Sequence, residues 1–288
     1  MGAAFFVYTL FLRDQVPGFP FQNTGVFVPE QRYITAASGI AESYERRDDM
    51  NAVLHVVSDR QRTRLPLHES LLQSVEGGAD VIQWREKKAP AAQSYQECSA
   101  FLQAMADAGQ QAALFVNDRL DVAMAVGALG VHLAAKSLPV AVARRVADRA
   151  QWPGLIGCSV HSFEAAVAAA QAGADYITFG HIFASESHPG LPPRGVGELR
   201  RIVEAVSIPV IAIGGIDHTN VDVVLATGCS GVAVIGAVIG HPNPRQAARQ
   251  LKQAMARSPV QPKHPFPLLN RTPATTIPEG GDEHGQRI

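Results

Sequence analysis

From Val53 to Ala256 the chain alternates short apolar runs with stretches of helical composition eight times, and few folds accommodate that. The runs fall at Val53–Ser58, Val81–Arg85, Ala112–Asn117, Gly130–Leu133, Leu155–Ser159, Asp175–Phe179, Pro209–Ile213 and Gly231–Ile235. They are continuously apolar rather than alternating, as expected of parallel strands buried on both faces. Helices are predicted near Leu67–Glu76, Ala92–Ala108, Asp118–Val126, Val140–Ala150, Ser162–Ala172, Val196–Val206, Thr219–Ala226 and Pro244–Ala256. Gly77, Gly109 and Gly173 supply stops, and Ser162 with the acidic residue that follows supplies a start. Eight such units close into a single-domain (β/α)8 TIM barrel, an α/β fold, spanning residues 50–257. An open doubly wound sheet is the alternative. It is disfavoured because no GxGxxG follows the first strand.

The flanks read differently. Residues 1–49 mix an apolar start, PGFPFQNTG and a charged YERRDD without sustained periodicity, which predicts a poorly ordered extension and makes Met50 a candidate native start. Its apolar run, Ala3–Leu12, is too short to span a bilayer and lacks the basic flank of a signal peptide. Residues 258–288 turn to Pro, Thr, Gly and charge, and are expected to be a disordered tail. With 25 Lys and Arg against 26 Asp and Glu, spread along the chain, no electrostatic footprint for nucleic acid or a membrane surface exists. Cys98, Cys158 and Cys229 lie far apart without CxxC spacing, so reduced thiols and a cytoplasmic location are expected. Cys158 and His161 could be read as nucleophile and base, but no nucleophile elbow surrounds them. The sequence leaves the oligomeric state open, a homo-oligomer included.

In such barrels the loops after the strands carry the chemistry. The sixth unit, DYITFGHIFASESHPGLPPRG, ends a strand at Gly180 and delivers His181 into a polar loop holding Ser185, Ser187, His188 and Arg194. An imidazole there is suited to proton transfer, although a packing role would also account for it. The seventh and eighth strands end at Gly214, Gly215 and Gly236, whose backbone N–H groups could grip a phosphate. The second strand ends QWREKK: Gln83 and Arg85 share one face, Arg85 could clamp an anion, and Lys87 is the better placed lysine. Asn117 and Asp118 sit at the third strand's mouth, where Asp118 could equally cap a helix or bind a metal. Ser159 is placed to meet a ligand, and His132 reads as a hydrogen-bonded core histidine.

In order, QWREK, NDR, GVHL, GCSVHS, DYITFGHIF, IPVIAIGGI and GVAVIGAVIG resemble the thiamine phosphate synthase/TenI superfamily over about Val53 to Ile239. The resemblance implies one of two activities. Synthases typically read FGPVFPTxTK and GVHLGQxD, and the second aspartate helps the one at Asp118 hold magnesium. Here the strand-four continuation is GVHLAAKSLP, placing Ser137 at that aspartate, while His181 and His188 stand at the synthase proline and lysine. FGHIF with GLPPRG is similar instead to the tautomerase branch. That branch implies an isomerase of thiamine biosynthesis that aromatises a phosphorylated thiazole by a proton shift, with no cofactor. His181 would move the proton, Arg85 clamp the carboxylate, and Gln83, Lys87, Asn117, Ser159 and His188 contact the substrate. The alternatives are a synthase using Mg2+ through Asp118, which couples a pyrimidine pyrophosphate to the thiazole phosphate, and a non-catalytic phosphate-binding barrel.

Overall fold

A computed structural model describes the backbone of residues 44–46, 51–187 and 189–271, with side chains over 51–187 and 189–268. Eight parallel strands close into a barrel: β1 (Val53–Val57), β2 (Val81–Trp84), β3 (Ala113–Asn117), β4 (Gly130–Leu133), β5 (Leu155–Val160), β6 (Tyr176–Gly180), β7 (Val210–Ile213) and β8 (Gly231–Val234). The barrel closes where Val53 of β1 registers with Gly231 of β8. The helices are α1 (Leu67–Glu76), α2 (Ala91–Asp107), α3 (Leu120–Ala125), α4 (Val140–Arg149), α5 (Phe163–Gln171), α6 (Gly195–Ala205), α7 (Val221–Leu225), the single-turn α8 (Gly236–Ile239) and α9 (Pro244–Met255). The predicted (β/α)8 barrel is therefore present. Ser162 caps α5 as its sequence implies, accepting the Ala165 N–H. Helix α3 starts two residues later than expected, because Asp118 takes a left-handed φ of 62° that a helix cannot include.

Side chains sort by strand parity. Leu54, Val56, Ile82, Trp84, Leu114, Val116, Ile156, Ile177, Phe179, Val232 and Val234 point outward into the large layer packed under the helices. Val53, Val57, Val81, Phe115, Tyr176, Ile211 and Ala233 point inward and form a second, smaller cluster. Aromatic rings fill the lower interior, and glycines make room for them. A Cβ on Gly157 would lie 2.0 Å from the Tyr176 ring, and one on Gly130 would lie 2.2 Å from Phe115.

The tail requires a correction. The sequence predicted no packed structure after residue 258, yet residues 259–268 cross the barrel's N-terminal end. Lys263 donates its N–H to the Gly228 carbonyl, and the Ser230 hydroxyl donates to the His264 carbonyl. Phe266 is buried among Phe115, Tyr176 and His55, whose ring centroid lies 4.8 Å away at right angles. One buried aromatic ring and a few hydrogen bonds hold this Pro-rich segment. Tyr44–Arg46 and Leu269–Arg271 pair as a short antiparallel ribbon; the rest of the expected N-terminal extension, with Met50, and of the expected tail lies outside the described residues. No helix among the described residues is long and apolar enough to cross a membrane.

His55 is fully buried with neither ring nitrogen hydrogen-bonded, and burial, helped by nearby His132, lowers its pKa to about 3. The unfolded chain, with a histidine near 6.5, therefore binds a proton that the folded chain refuses as pH falls. This contribution is complete above pH 6.5 and erodes below it. At pH 5 it amounts to a loss of about 2 kcal/mol. Urea unfolding of the wild type and of His55→Leu at pH 7 and 5 checks this. The variant should lose less on acidification by about that amount, and parallel losses would refute the assignment.

Candidate active site

The C-terminal ends of the strands open into one cleft of about 1180 Å³. It is lined by Gln83, Arg85 and Lys87 from the β2 end, Asn117 and Asp118 from β3, Ser159 from β5, His181 after β6, and Gly214, Gly215 and Gly236 after β7 and β8. The structure thus brings together every candidate proposed from sequence except His188, which lies outside the described residues.

Three strand ends are linked by hydrogen bonds. Gln83 donates its amide N–H to Asn117 Oδ1 at 2.8 Å, and Asn117 donates to Asp118 Oδ2 at 2.6 Å. Asp118 Oδ1 accepts the Ala134 N–H at 3.0 Å and the Ser137 hydroxyl. A second group lies on the facing strands. His132 contacts Tyr176 Oη through Nδ1 at 3.0 Å and Ser159 Oγ through Nε2 at 2.9 Å, and Thr178 donates to Ser159 Oγ at 3.2 Å. Burial lowers the pKa of His132 to about 4, against the opposing pull of Asp118 and with the help of Arg85. It is therefore a neutral, hydrogen-bonded histidine at neutral pH, and it underpins Ser159.

Gly214 and Gly215 have φ of 103° and 67°, the left-handed region that glycine enters without strain. Their lack of side chains lets the sixth and seventh loops touch. A Cβ on Gly214 would lie 2.4 Å from the Cβ of His181, and one on Gly215 would lie 2.5 Å from the Ala184 carbonyl oxygen. His181 is buried against this turn, and its Nε2 lies 3.2 Å from the Leu191 carbonyl oxygen. The Cα and Cβ of His181 thus pack on the glycine turn, while the ring nitrogen is directed to the Leu191 carbonyl and the residue lines the cleft.

Cations dominate the rim. Arg85 does not pair with Glu86 but sits 3.6 Å from Asp59, while Glu86 binds Arg60. Arg62, Arg64 and Lys136 also line the cleft, and none was singled out from sequence. The signal for Arg62 was legible: it follows the first strand in SDRQRTR, at the same kind of strand end. Its Nη1 lies 3.6 Å from where a Gly236 Cβ would stand and 2.9 Å from Glu186. Cys158 belongs to the outer apolar layer, and burial pushes its thiol up to about 11, so it is no nucleophile.

The family described as thiamine monophosphate synthase matches residues 54–238. A thiamine-phosphate synthase of Methanoculleus marisnigri is 45% identical over 211 residues, 72% of this chain and 97% of its own length. One from Pyrococcus furiosus is 40% identical over 200 residues, 69% of this chain and 93% of its own. The solved thiamine phosphate pyrophosphorylase from Pyrococcus furiosus superposes with a TM-score of 0.64 at 40% identity, covering 71% of this chain and 96% of that one. A 3-hexulose-6-phosphate synthase, 20% identical with a TM-score of 0.53, shares the fold.

These relatives overturn the expectation of a thiazole tautomerase and of an isomerase, since their names are those of synthases. FGHIF and GLPPRG belong to one strand end and the loop after it, whereas the family match spans residues 54–238, a stretch that contains all eight strand ends. With its barrel matched from Leu54 to Val238 and such relatives covered almost end to end, the chain belongs to the thiamine monophosphate synthase family.

Proposed function

We propose that this chain is a thiamine-phosphate synthase, a transferase that couples a pyrimidine pyrophosphate to a thiazole phosphate. The observation that carries the reading is the 45% identity to a synthase across 97% of that protein's length. In this coupling the pyrimidine methylene exchanges a bond to diphosphate oxygen for one to the thiazole ring nitrogen. The site must therefore hold two anionic groups and release one of them.

The cleft suits that demand. Gly214, Gly215 and Gly236 offer backbone to the thiazole phosphate beside Arg62. Arg85, which shares Asp59 with Arg62, and Lys87 meet the diphosphate at the neighbouring strand end. Gln83 and Asn117, held in register by their mutual hydrogen bond, and Ser159, held by His132, orient the rings. The thiazole nitrogen attacks without losing a proton. The acid/base role given to His181 therefore falls with the isomerisation, and His181 is assigned to walling the phosphate turn. Substituting His181→Ala should raise the KM for thiazole phosphate about tenfold while lowering kcat far less, as expected for a residue that binds ground and transition state alike. An equal fall in kcat and kcat/KM would restore a chemical role.

The residues present do not fit the two-carboxylate magnesium site of the synthases. Asp118 is the carboxylate at this edge, its oxygens already accept three hydrogen bonds, and a neutral serine faces it. Among the described residues no group of three or more His, Cys, Asp or Glu is arranged to hold a metal ion. Purified protein supplied with hydroxymethylpyrimidine pyrophosphate, thiazole phosphate and Mg2+ should form thiamine phosphate at a rate of about 1–10 per second, the lower part of the ordinary range of enzymes. No product under these conditions would overturn the assignment.

A further inference from the structure

The turn after β4 departs from the two-carboxylate pattern in a defined way. Residues Ala134 to Ser137 form a turn closed by the Ser137 N–H on the Ala134 carbonyl at 3.0 Å. The Ser137 hydroxyl hydrogen-bonds both to the Ala134 N–H at 2.8 Å, as acceptor, and to Asp118 Oδ1, as donor. Asp118 accepts the Ala134 N–H as well, so its carboxylate serves as the acceptor that pins this turn to the end of β3. An ion could use Oδ1 only by displacing those donors, and it would gain a hydroxyl in place of a second charge. Hard divalent cations favour anionic oxygen, and one carboxylate beside a hydroxyl offers half the negative charge of two carboxylates. Lys136 occupies the corner of the same turn, exposed and lining the cleft, two strands along the barrel from the end that carries Arg85 and Lys87.

We infer that in this chain the Lys136 ammonium replaces the protein-anchored divalent ion as counter-charge to the leaving diphosphate, with Asp118 and Ser137 serving to position the turn that presents it. The inference rests on the synthase reading for the identity of the anion. Its mechanical part, a turn latched by Asp118 and headed by a lysine, does not. Lys136 carries one positive charge where an ion would carry two, so any divalent ion that takes part arrives on the diphosphate rather than on the protein.

Binding measurements test this without turnover. Calorimetry with inorganic pyrophosphate in metal-free buffer should give saturable binding to the wild type, weakened about tenfold in Lys136→Ala and largely kept in Lys136→Arg. Mn2+ titrated alone into the wild type, followed by electron paramagnetic resonance, should show no stoichiometric site at submillimolar concentration. Ser137→Asp should create one. Tight Mn2+ binding by the wild type that Asp118→Asn abolishes would overturn the inference, as would pyrophosphate binding indifferent to Lys136→Ala. A failed coupling assay with these binding results intact would refute the synthase reading and leave the lysine site standing.

Discussion

Replacing Gly214 with alanine is expected to lower kcat/KM for coupling by roughly 100-fold or more, because it displaces two parts of the site together. The residue holds φ at 103°, which an L side chain rarely adopts, and the added methyl would fall 2.4 Å from the His181 Cβ and 2.6 Å from its Cα. Backbone cannot step aside cheaply there. Phe183 donates its N–H to the Gly214 carbonyl, and Ile182 donates to Ile213, so the sixth and seventh loops move as one. A stability loss of about 1–3 kcal/mol should accompany the kinetic one. Gly173→Ala provides the control: its φ of 89° is similarly strained, but nothing lies within 4 Å of the added methyl. It should cost stability and leave kcat/KM near wild type at temperatures where the chain stays folded. If Gly214→Ala behaved like Gly173→Ala, the phosphate turn would be elsewhere.

Truncating Phe266 to alanine should destabilise the fold by about 3–5 kcal/mol, the cost of emptying a buried aromatic site that cannot fully collapse. The ring meets His55, Tyr176 and Phe115 with centroids 4.8, 5.0 and 6.0 Å away, so its removal leaves three other rings facing a void. Guanidinium unfolding gives the measure, with coupling activity on the folded variant as the second readout. Activity should survive, because the ring closes the end of the barrel opposite the strand ends that line the cleft. A loss under about 0.5 kcal/mol, the range of ordinary surface changes, would show that the tail segment contributes little.

Much of this was readable from the chain. The eight apolar runs fixed strand number and direction, since only strands covered on both faces tolerate unbroken apolar stretches. The ends of those runs named Gln83, Asn117, Ser159, His181 and the three glycines, all of which line one cleft. Three things were not readable. The bond of Phe266 to the core joins it to residues as distant in sequence as His55, and local composition argued against it. The path from Gln83 through Asn117 and Asp118 to Ser137 crosses three strands and exists only after closure. The choice between isomerase and synthase rested on two short stretches, GVHLAAKSLP and FGHIF with GLPPRG, which are a small part of the surface a substrate meets.

Below the cleft, the fit of Tyr176 over Gly157 and of Phe115 against Gly130 means that two rings take up space which four side chains would otherwise share. Substitution at either glycine alone overfills the interior, and substitution at either ring alone leaves a hollow. Only a reciprocal exchange, such as Gly157→Ala with Tyr176→Leu, keeps the volume nearly constant. Drift at these four positions should therefore proceed in coupled steps, with each intermediate less fit than both endpoints.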